Sequence, residues 1–225
     1  MRNRTWLCLA VALVLAGIAC LSVGCGSSNA NIRLLNATPD EASLSLLVDG
    51  KSVASVSYGT ASGYMSVSSG SRHLQVEPAG TSNPLIDVTA TANSSSNLTL
   101  ISLNYSFNIS NVVLTDDNSA PSSGNFKLRI INASPGLSAQ DVYVEPPNTN
   151  IGSLSPTISN LALGTASSYS VLTPGNYEVY FTSPGQKFIN LDTGVLSFSA
   201  GQIRTLVALN GQSGGYTSAA LTDLN

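Results

Sequence analysis

The chain has 225 residues, only 9% of them charged, and a formal net charge of −3. So sparse and slightly acidic a balance excludes a nucleic-acid surface, which rests on clustered Lys/Arg, and a polybasic hold on anionic lipid. With three cysteines and one histidine, the chain also lacks the several His/Cys ligands that a zinc site needs.

The first element is an export segment. Arg2 and Arg4 precede an almost unbroken apolar run from Trp6 to Leu21, followed by the small residues Ser22 and Gly24. That order reads as a secretory signal, too short and wrongly flanked for a spanning helix of roughly 20 apolar residues. Leu21-Ser22-Val23-Gly24-Cys25 resembles a bacterial lipobox, in which the cysteine thiol is acylated and becomes the first residue of the mature chain. The expectation is therefore a signal over 1–24, lipidation at Cys25, and a tether over 25–29 that includes Gly26-Ser27-Ser28-Asn29. Cys20, after Ala16-Gly17-Ile18-Ala19, is the competing anchor, and an ordinary cleaved signal is the plainer alternative. Gly26 stands where an inner-membrane retention signal would place Asp, which in a Gram-negative host favours the outer membrane. No cysteine follows Cys25, so no disulfide braces the rest of the chain in its oxidising destination. Without Arg2 and Arg4, seven basic residues face twelve acidic ones, a net of minus five.

Beyond the tether, short apolar stretches with period two recur: Leu44 to Val48, Tyr64 to Val67, Leu74 to Val76, Leu98 to Leu103, Tyr177 to Phe181 and Ile203 to Leu209. Turn residues divide them, among them Asp49-Gly50, Ser69-Gly70, Pro78-Ala79-Gly80, Pro174-Gly175, Pro184-Gly185 and Ala200-Gly201. Short strands with a turn signal roughly every 8 to 12 residues predict an antiparallel sandwich or barrel. No run has helical period outside the signal, so the predicted fold class is all-β.

The pattern is written twice. Arg33-Leu34-Leu35-Asn36-Ala37-Thr38-Pro39 returns as Arg129-Ile130-Ile131-Asn132-Ala133-Ser134-Pro135, and Gly59-Thr60-Ala61-Ser62-Gly63-Tyr64 as Gly164-Thr165-Ala166-Ser167-Ser168-Tyr169. Leu114-Thr115-Asp116 matches Leu221-Thr222-Asp223 near the end. The predicted organisation is a first β-sandwich repeat over 30–118, a linker over 119–124 and a second repeat over 125–225. Each repeat is expected to fold independently, with the linker allowing some reorientation. The second copy is longer mainly through Pro146 to Thr157, a Pro/Asn/Ser-rich stretch that reads as a lengthened loop. Its stiff Pro146-Pro147 start and the neighbouring Tyr143 make it the expected place for recognition.

The repeated segments have plain structural readings. Proline ends a strand's ladder, and Asn with Ser/Thr bonds the backbone of its own turn, so Asn36 to Pro39 and Asn132 to Pro135 read as turns leaving a first strand. Tyr64 and Tyr169 are expected to pack their rings on the core and bond backbone through their hydroxyls. Arg33 and Arg129 are expected on a sheet face, each paired with a carboxylate.

Arg129 through Pro135, Asp141-Val142-Tyr143-Val144, Gly164 through Tyr169 and Pro174-Gly175-Asn176-Tyr177 together resemble the bacterial family called domain of unknown function 4397. The resemblance spans both copies, from Ile32 onward, and implies exported Ig-like β-domains, in tandem and lipid-anchored. The first copy departs from the pattern, with Ser45-Leu46-Leu47-Val48-Asp49-Gly50 where Asp-Val-Tyr-Val-Asp-Gly is usual. Asn36 and Asn132 stand where many members have His, which weakens a metal or acid–base role there.

Reaction chemistry is sparse. His73 lies on a predicted strand between Arg72 and Leu74, where the second copy has Glu178, and a Ser-His-Asp triad needs an imidazole in a pocket. Asp116-Asp117-Asn118 offers oxygen ligands for calcium but does not match an EF-hand loop, and reads as a solvated strand end. No phosphate-cradling Gly-x-x-x-x-Gly-Lys occurs. The expectation is a non-enzymatic cell-envelope lipoprotein with no cofactor, membrane-attached through its lipid and binding a protein or glycan but no nucleic acid. A structural spacer is the alternative, and a hydrolase the remoter one.

Overall fold

The structure, a computed structural model, describes residues 28–223; the signal, Cys20 and Cys25 lie outside them. Strands β1 (Asn29–Asn36), β2 (Ser43–Val48), β3 (Lys51–Ser57), β4 (Met65–Ser68), β5 (Gly70–Pro78), β6 (Ile86–Ala92), β7 (Asn97–Leu103) and β8 (Ser110–Asp116) build the first repeat. The second contains β9 (Phe126–Asn132), β10 (Gln140–Glu145), β11 (Ile158–Leu161), β12 (Thr165–Ala166), β13 (Ser170–Leu172), β14 (Gly175–Thr182), β15 (Ile189–Asp192), β16 (Leu196–Phe198), β17 (Ile203–Asn210) and β18 (Tyr216–Thr222). Each repeat is an Ig-like β-sandwich, and the only helical pieces among the described residues are single 3₁₀ turns at Ser106–Asn108 and Ile151–Ser153.

In the first repeat the sheet β4-β1-β7-β8 faces β3-β2-β5-β6; in the second, β12-β9-β17-β18 faces β11-β10-β14-β15. The short β13 extends the β9 edge and β16 pairs with β14. The sheets are not wholly antiparallel. β1 pairs with β7 in parallel, Leu34 beside Leu100, and β9 with β17 in parallel, Ile130 beside Leu206. The parallel pairs arise because the chain visits the opposite sheet between them, a long crossover that removes the hairpin constraint.

These two parallel pairs are buried on both faces. In β1, Ile32 and Leu34 enter the core of the first repeat while Leu35 points the other way. In β9, Leu128 and Ile130 enter the core of the second, and Ile131 turns outward. The outward residues meet. Leu35, Ala37, Ile101 and Leu103 of the first repeat pack with Ile131, Ala133, Val207, Leu209 and Leu221 of the second in a third core between the copies. Four sheets therefore stack in sequence, the two inner ones sharing buried surface. By contrast β2, one of the outer strands, alternates between buried and half-exposed residues.

The linker is held as well. The Lys127 ammonium donates to the Asp117 carbonyl (2.9 Å), the Asp117 carboxylate (2.6 Å) and the Ser119 carbonyl (3.0 Å). That ammonium, with the Ser119 hydroxyl, pulls the Asp117 carboxyl down to about 2. Reorienting the repeats would break these bonds and expose the third core, so the linker works here as a fastened strap.

Ile131→Ala, which removes a buried side chain from the shared core, is expected to cost about 3 kcal/mol. Both repeats should melt in one calorimetric transition that moves down as a whole. Two separate transitions, only one of them shifted, would show that the copies unfold independently.

Candidate functional site

The polar groups repeated in the sequence converge on the seam between the copies, where they pair reciprocally. The Arg33 guanidinium donates to the Asp223 carboxylate at 2.5 Å, and Arg129 lies 2.7 Å from Asp116, across the seam in the opposite direction. The second contact is a close charge pair without an aligned hydrogen bond on that Asp116 oxygen. Arg33 also lies 3.9 Å from Asp116, so the four charges form one cluster, and all four residues are buried.

The surroundings are duplicated group by group. Arg33 Nε donates to Thr99 Oγ1 (2.8 Å), and Thr99 donates to Asp116 (2.5 Å); Arg129 Nε donates to Thr205 Oγ1 (3.2 Å), and Thr205 to Asp223 (3.0 Å). The Tyr64 hydroxyl donates to Asp116 at 2.5 Å and the Tyr169 hydroxyl to Asp223 at 3.0 Å. Their rings receive the guanidinium faces of Arg33 (4.6 Å) and Arg129 (4.7 Å). The expected carboxylate partners of the arginines exist, and the close one belongs in each case to the other repeat, with Asp116 of its own repeat standing farther from Arg33. The tyrosine hydroxyls bond carboxylates, not backbone as expected, because an acceptor-only anion is the stronger partner in a dry site. Asp116 is likewise no solvated strand end.

Burial opposes the Arg33 charge, but Asp223, with Tyr64 and Asp116 behind it, outweighs that and raises its pKa. Burial raises the Tyr64 and Tyr169 hydroxyls well above the ordinary 10.0. The cluster thus joins two guanidinium groups and two carboxyl groups with two phenols that burial keeps protonated.

The other repeated residues serve the same seam. Ser62 and Ser167 each accept the N–H of a first-strand residue, Leu34 and Ile130, at 3.0 Å. Gly59 (φ +72°) and Gly164 (φ +74°) need a backbone that side chains resist, and a Cβ would approach Leu209 at 3.4 Å and Leu103 at 3.0 Å in the opposite copy. Asn36 and Asn132 are buried and bond their own turns, through the N–H groups of Thr38 (3.1 Å) and Ser134 (3.3 Å).

The insertion at Pro146 to Thr157 folds down onto the outer face of the second repeat. Ile151 and Leu154 pack on Tyr143 and Tyr180. Lys187 donates to the Tyr143 hydroxyl (2.7 Å) and to the Leu154 carbonyl, while the Asn148 N–H reaches Glu178 (2.8 Å). Tyr143, expected to border a recognition loop, is buried beneath it. This loop is a cover.

His73 sits on an exposed sheet face with Nε2 2.6 Å from Asp87, whose other oxygen accepts from Gln75 (3.0 Å). Among the described residues no group of three His, Cys, Asp or Glu side chains is placed to hold a metal, and no helix is long and apolar enough to cross a membrane. A cleft of about 370 Å³ opens on the seam, lined by Gly59 to Gly63 and Ala219 to Thr222. None of these lining side chains is titratable.

One feature of the seam belongs to a single copy. The β7–β8 connection carries Tyr105-Ser106-Phe107, where the β17–β18 connection is Gly211-Gln212-Ser213-Gly214-Gly215. Phe107 is 85% exposed and stacks on Tyr105, ring centroids 5.8 Å apart and planes 13° apart. Asn210 of the second copy donates to the Tyr105 hydroxyl (3.0 Å) and accepts from the Tyr58 hydroxyl on its carbonyl (2.7 Å). Burial, only partly offset by the bond to Asn210, raises the Tyr58 pKa to about 12. The Asn210 amide oxygen takes the Gly136 N–H (3.1 Å), and the Gly136 carbonyl takes the Tyr216 hydroxyl (2.9 Å). This aromatic group was not foreseen from the sequence; its signal was the mismatch between two otherwise matching connections.

The family profile described as Domain of unknown function (DUF4397) matches residues 30–143 and 127–225. The chain belongs to that family. No protein of curated function matches it. Among solved structures, the Bacillus anthracis TIE protein is 12% identical, covering 81% of this chain and 34% of its own, with a TM-score of 0.27. A family 26 carbohydrate-binding module from Eubacterium rectale Amy13K, solved with maltoheptaose, is 12% identical over 87% of this chain and 98% of its own, at 0.26. Family 41 carbohydrate-binding modules from streptococcal virulence factors reach 12% identity, 79% and 93% coverage, and 0.23. This DUF4397 chain spans about a third of the TIE protein, and similarity at these scores transfers no function.

Asp223→Asn should destabilise this DUF4397 protein by about 3 kcal/mol in urea denaturation, because it leaves Arg33 buried with one distant anion. A loss below about 1 kcal/mol would mean that water reaches the pair. Alkali should act on the same cluster. Since the folded pKa values of Tyr64 and Tyr169 lie above their unfolded 10.0, their contribution is whole below pH 10 and is lost as pH rises past it. The urea midpoint should fall from about pH 10 upward, less steeply in the Tyr64→Phe/Tyr169→Phe variant. An unchanged slope in that variant would assign the alkaline loss to other groups.

Proposed function

We propose that this DUF4397 chain is a non-enzymatic exported binding module, held at a membrane by lipid on Cys25, which presents one end of a rigid double sandwich to a protein or glycan of the cell envelope. The observation that carries this reading is the division of labour between the copies. The duplicated polar groups are spent inside the seam, whereas the exposed aromatic step at Tyr105 and Phe107 occurs once and closes no core. Single exposed rings are common on protein surfaces, but a stacked pair held by side chains of both copies is the kind of aromatic cluster that recognition surfaces present. His73, the one imidazole, pairs with the exposed Asp87 on an open sheet face, where a triad needs an enclosed ring.

A spacer role draws support from the third core and the fastened linker, which together make a stiff rod-like joint. It leaves the aromatic step without a use, and the binding reading is preferred for that reason.

Two measurements test the proposal together. The full-length chain, expressed in a bacterium, should fractionate with membranes and take up palmitate label, and Cys25→Ala should abolish both; persistent label in that variant moves the anchor to Cys20. The soluble mature chain should bind an isolated envelope polysaccharide or envelope protein fraction saturably. Failure to saturate with either fraction would reject binding in favour of the spacer.

A further inference from the structure

From the geometry around Asn210 we infer a carbohydrate site: Phe107 and Tyr105 form a stacking platform for a ring of an uncharged glycan chain, with the amides and hydroxyls beside it meeting the sugar's hydroxyl groups. This deepens the binding-module reading and rests on it. Three observations carry it.

First, the platform is not required by the fold. The second repeat closes the same connection with Gly211 to Gly215, and its β17–β18 hairpin pairs from Arg204–Thr222 to Asn210–Tyr216 without any aromatic loop. The first repeat instead spends a 3₁₀ turn, Ser106–Asn108, to hold Phe107 out. That turn is tied from outside itself: Asp40 accepts the Ser106 N–H (2.9 Å) and its hydroxyl (2.6 Å). A floppy surface loop has no need of such a brace. It orients the ring.

Second, the ring does not stand alone. Tyr105 backs it at 5.8 Å and is itself fixed by Asn210 from the opposite repeat. Asn210 in turn connects Tyr58 and, through Gly136, Tyr216. Gln212 crosses to the Pro39 carbonyl at 3.2 Å, so both repeats frame the same end. The result is a small apolar plane set in a rim of phenol and amide groups. Sugars present that combination in reverse: a face of C–H groups and an edge of hydroxyls. Apolar face meets aromatic ring, and hydroxyls replace water on the rim.

Third, charge and size select against other occupants. The one carboxylate tied to the loop is Asp40, and the mature chain is net acidic. Arg33, Arg129, Lys127 and Lys187 are bonded within the protein elsewhere. An anionic polymer finds no counter-charge among these cations. A stable protein interface buries about 800 Å² per partner around an apolar centre, whereas one projecting ring among polar groups offers only a narrow apolar plane. A glycan chain needs no more.

The test uses the soluble mature chain, titrated with maltoheptaose, cellohexaose, chitohexaose and xylohexaose, alongside heparin as an anionic control. Phe107→Ala is the informative variant, since an exposed ring carries little stability, and Phe188→Ala, at 80% exposure on another loop, is the matched control. Unchanged melting of both variants verifies that they fold. At least one neutral oligosaccharide should bind, with affinity falling tenfold or more in Phe107→Ala and staying unchanged in Phe188→Ala. Binding to none of the four, equal binding by Phe107→Ala, or preference for heparin would each overturn the inference. If the chain then still captures an envelope protein saturably, the binding-module reading survives while the carbohydrate site does not.

Discussion

The exchange of charges across the seam is the interaction on which the rest of this DUF4397 structure depends. An arginine in the middle of an inner strand would be ruinous if left unpaired, because a buried ion loses its hydration and must recover it from neighbours. Here the close counter-charge comes from the other copy: Arg33 takes Asp223, and Arg129 takes Asp116. The ions add little net stability against an apolar replacement of the same shape. Their effect is selective. Sliding or rotating one repeat over the other would keep some apolar contact but strand four charges, so a single mutual arrangement is left.

That selectivity explains why both repeated segments look as they do. The strand places the arginine, and the Asn-Ala-Thr/Ser-Pro turn stops the strand once the arginine and one seam residue have been placed. The Gly-Thr-Ala-Ser segment then brings a serine back to the strand and lets the opposite leucine come close. The tyrosine ends the segment over the guanidinium. Repetition in the sequence marks assembly, and the unrepeated residues are left for contact with other molecules.

Much of the architecture was legible beforehand. Period-two alternation located the strand from Leu44 to Val48 closely, because an outer strand keeps one wet face, and the turn residues that hairpins demand marked where strands such as Ile203 to Leu209 begin. The Asn-containing turns were also read correctly. The seam was harder to read. Runs such as Leu98 to Leu103 satisfy an alternating template while being buried on both faces, and only an apolar run interrupted by no more than Thr99 and Ser102 hinted at a second partner. The buried fate of Tyr143 was hidden for a similar reason: a Pro/Asn/Ser-rich insertion looks solvated, yet its Ile151 and Leu154 suffice to close over two tyrosines. The aromatic step at Phe107 is one ring in a polar loop, a signal that composition dilutes and that only comparison between the copies brings out.

The reciprocity of the seam also sets how many repeats one such face can join. Because the same surface of each copy meets the same surface of the other, as in an isologous dimer, the contact is used up once it forms. A head-to-tail joint would leave a sticky face at each end and permit growth into a filament. This joint terminates itself, so two molecules that meet have no further seam face to offer one another.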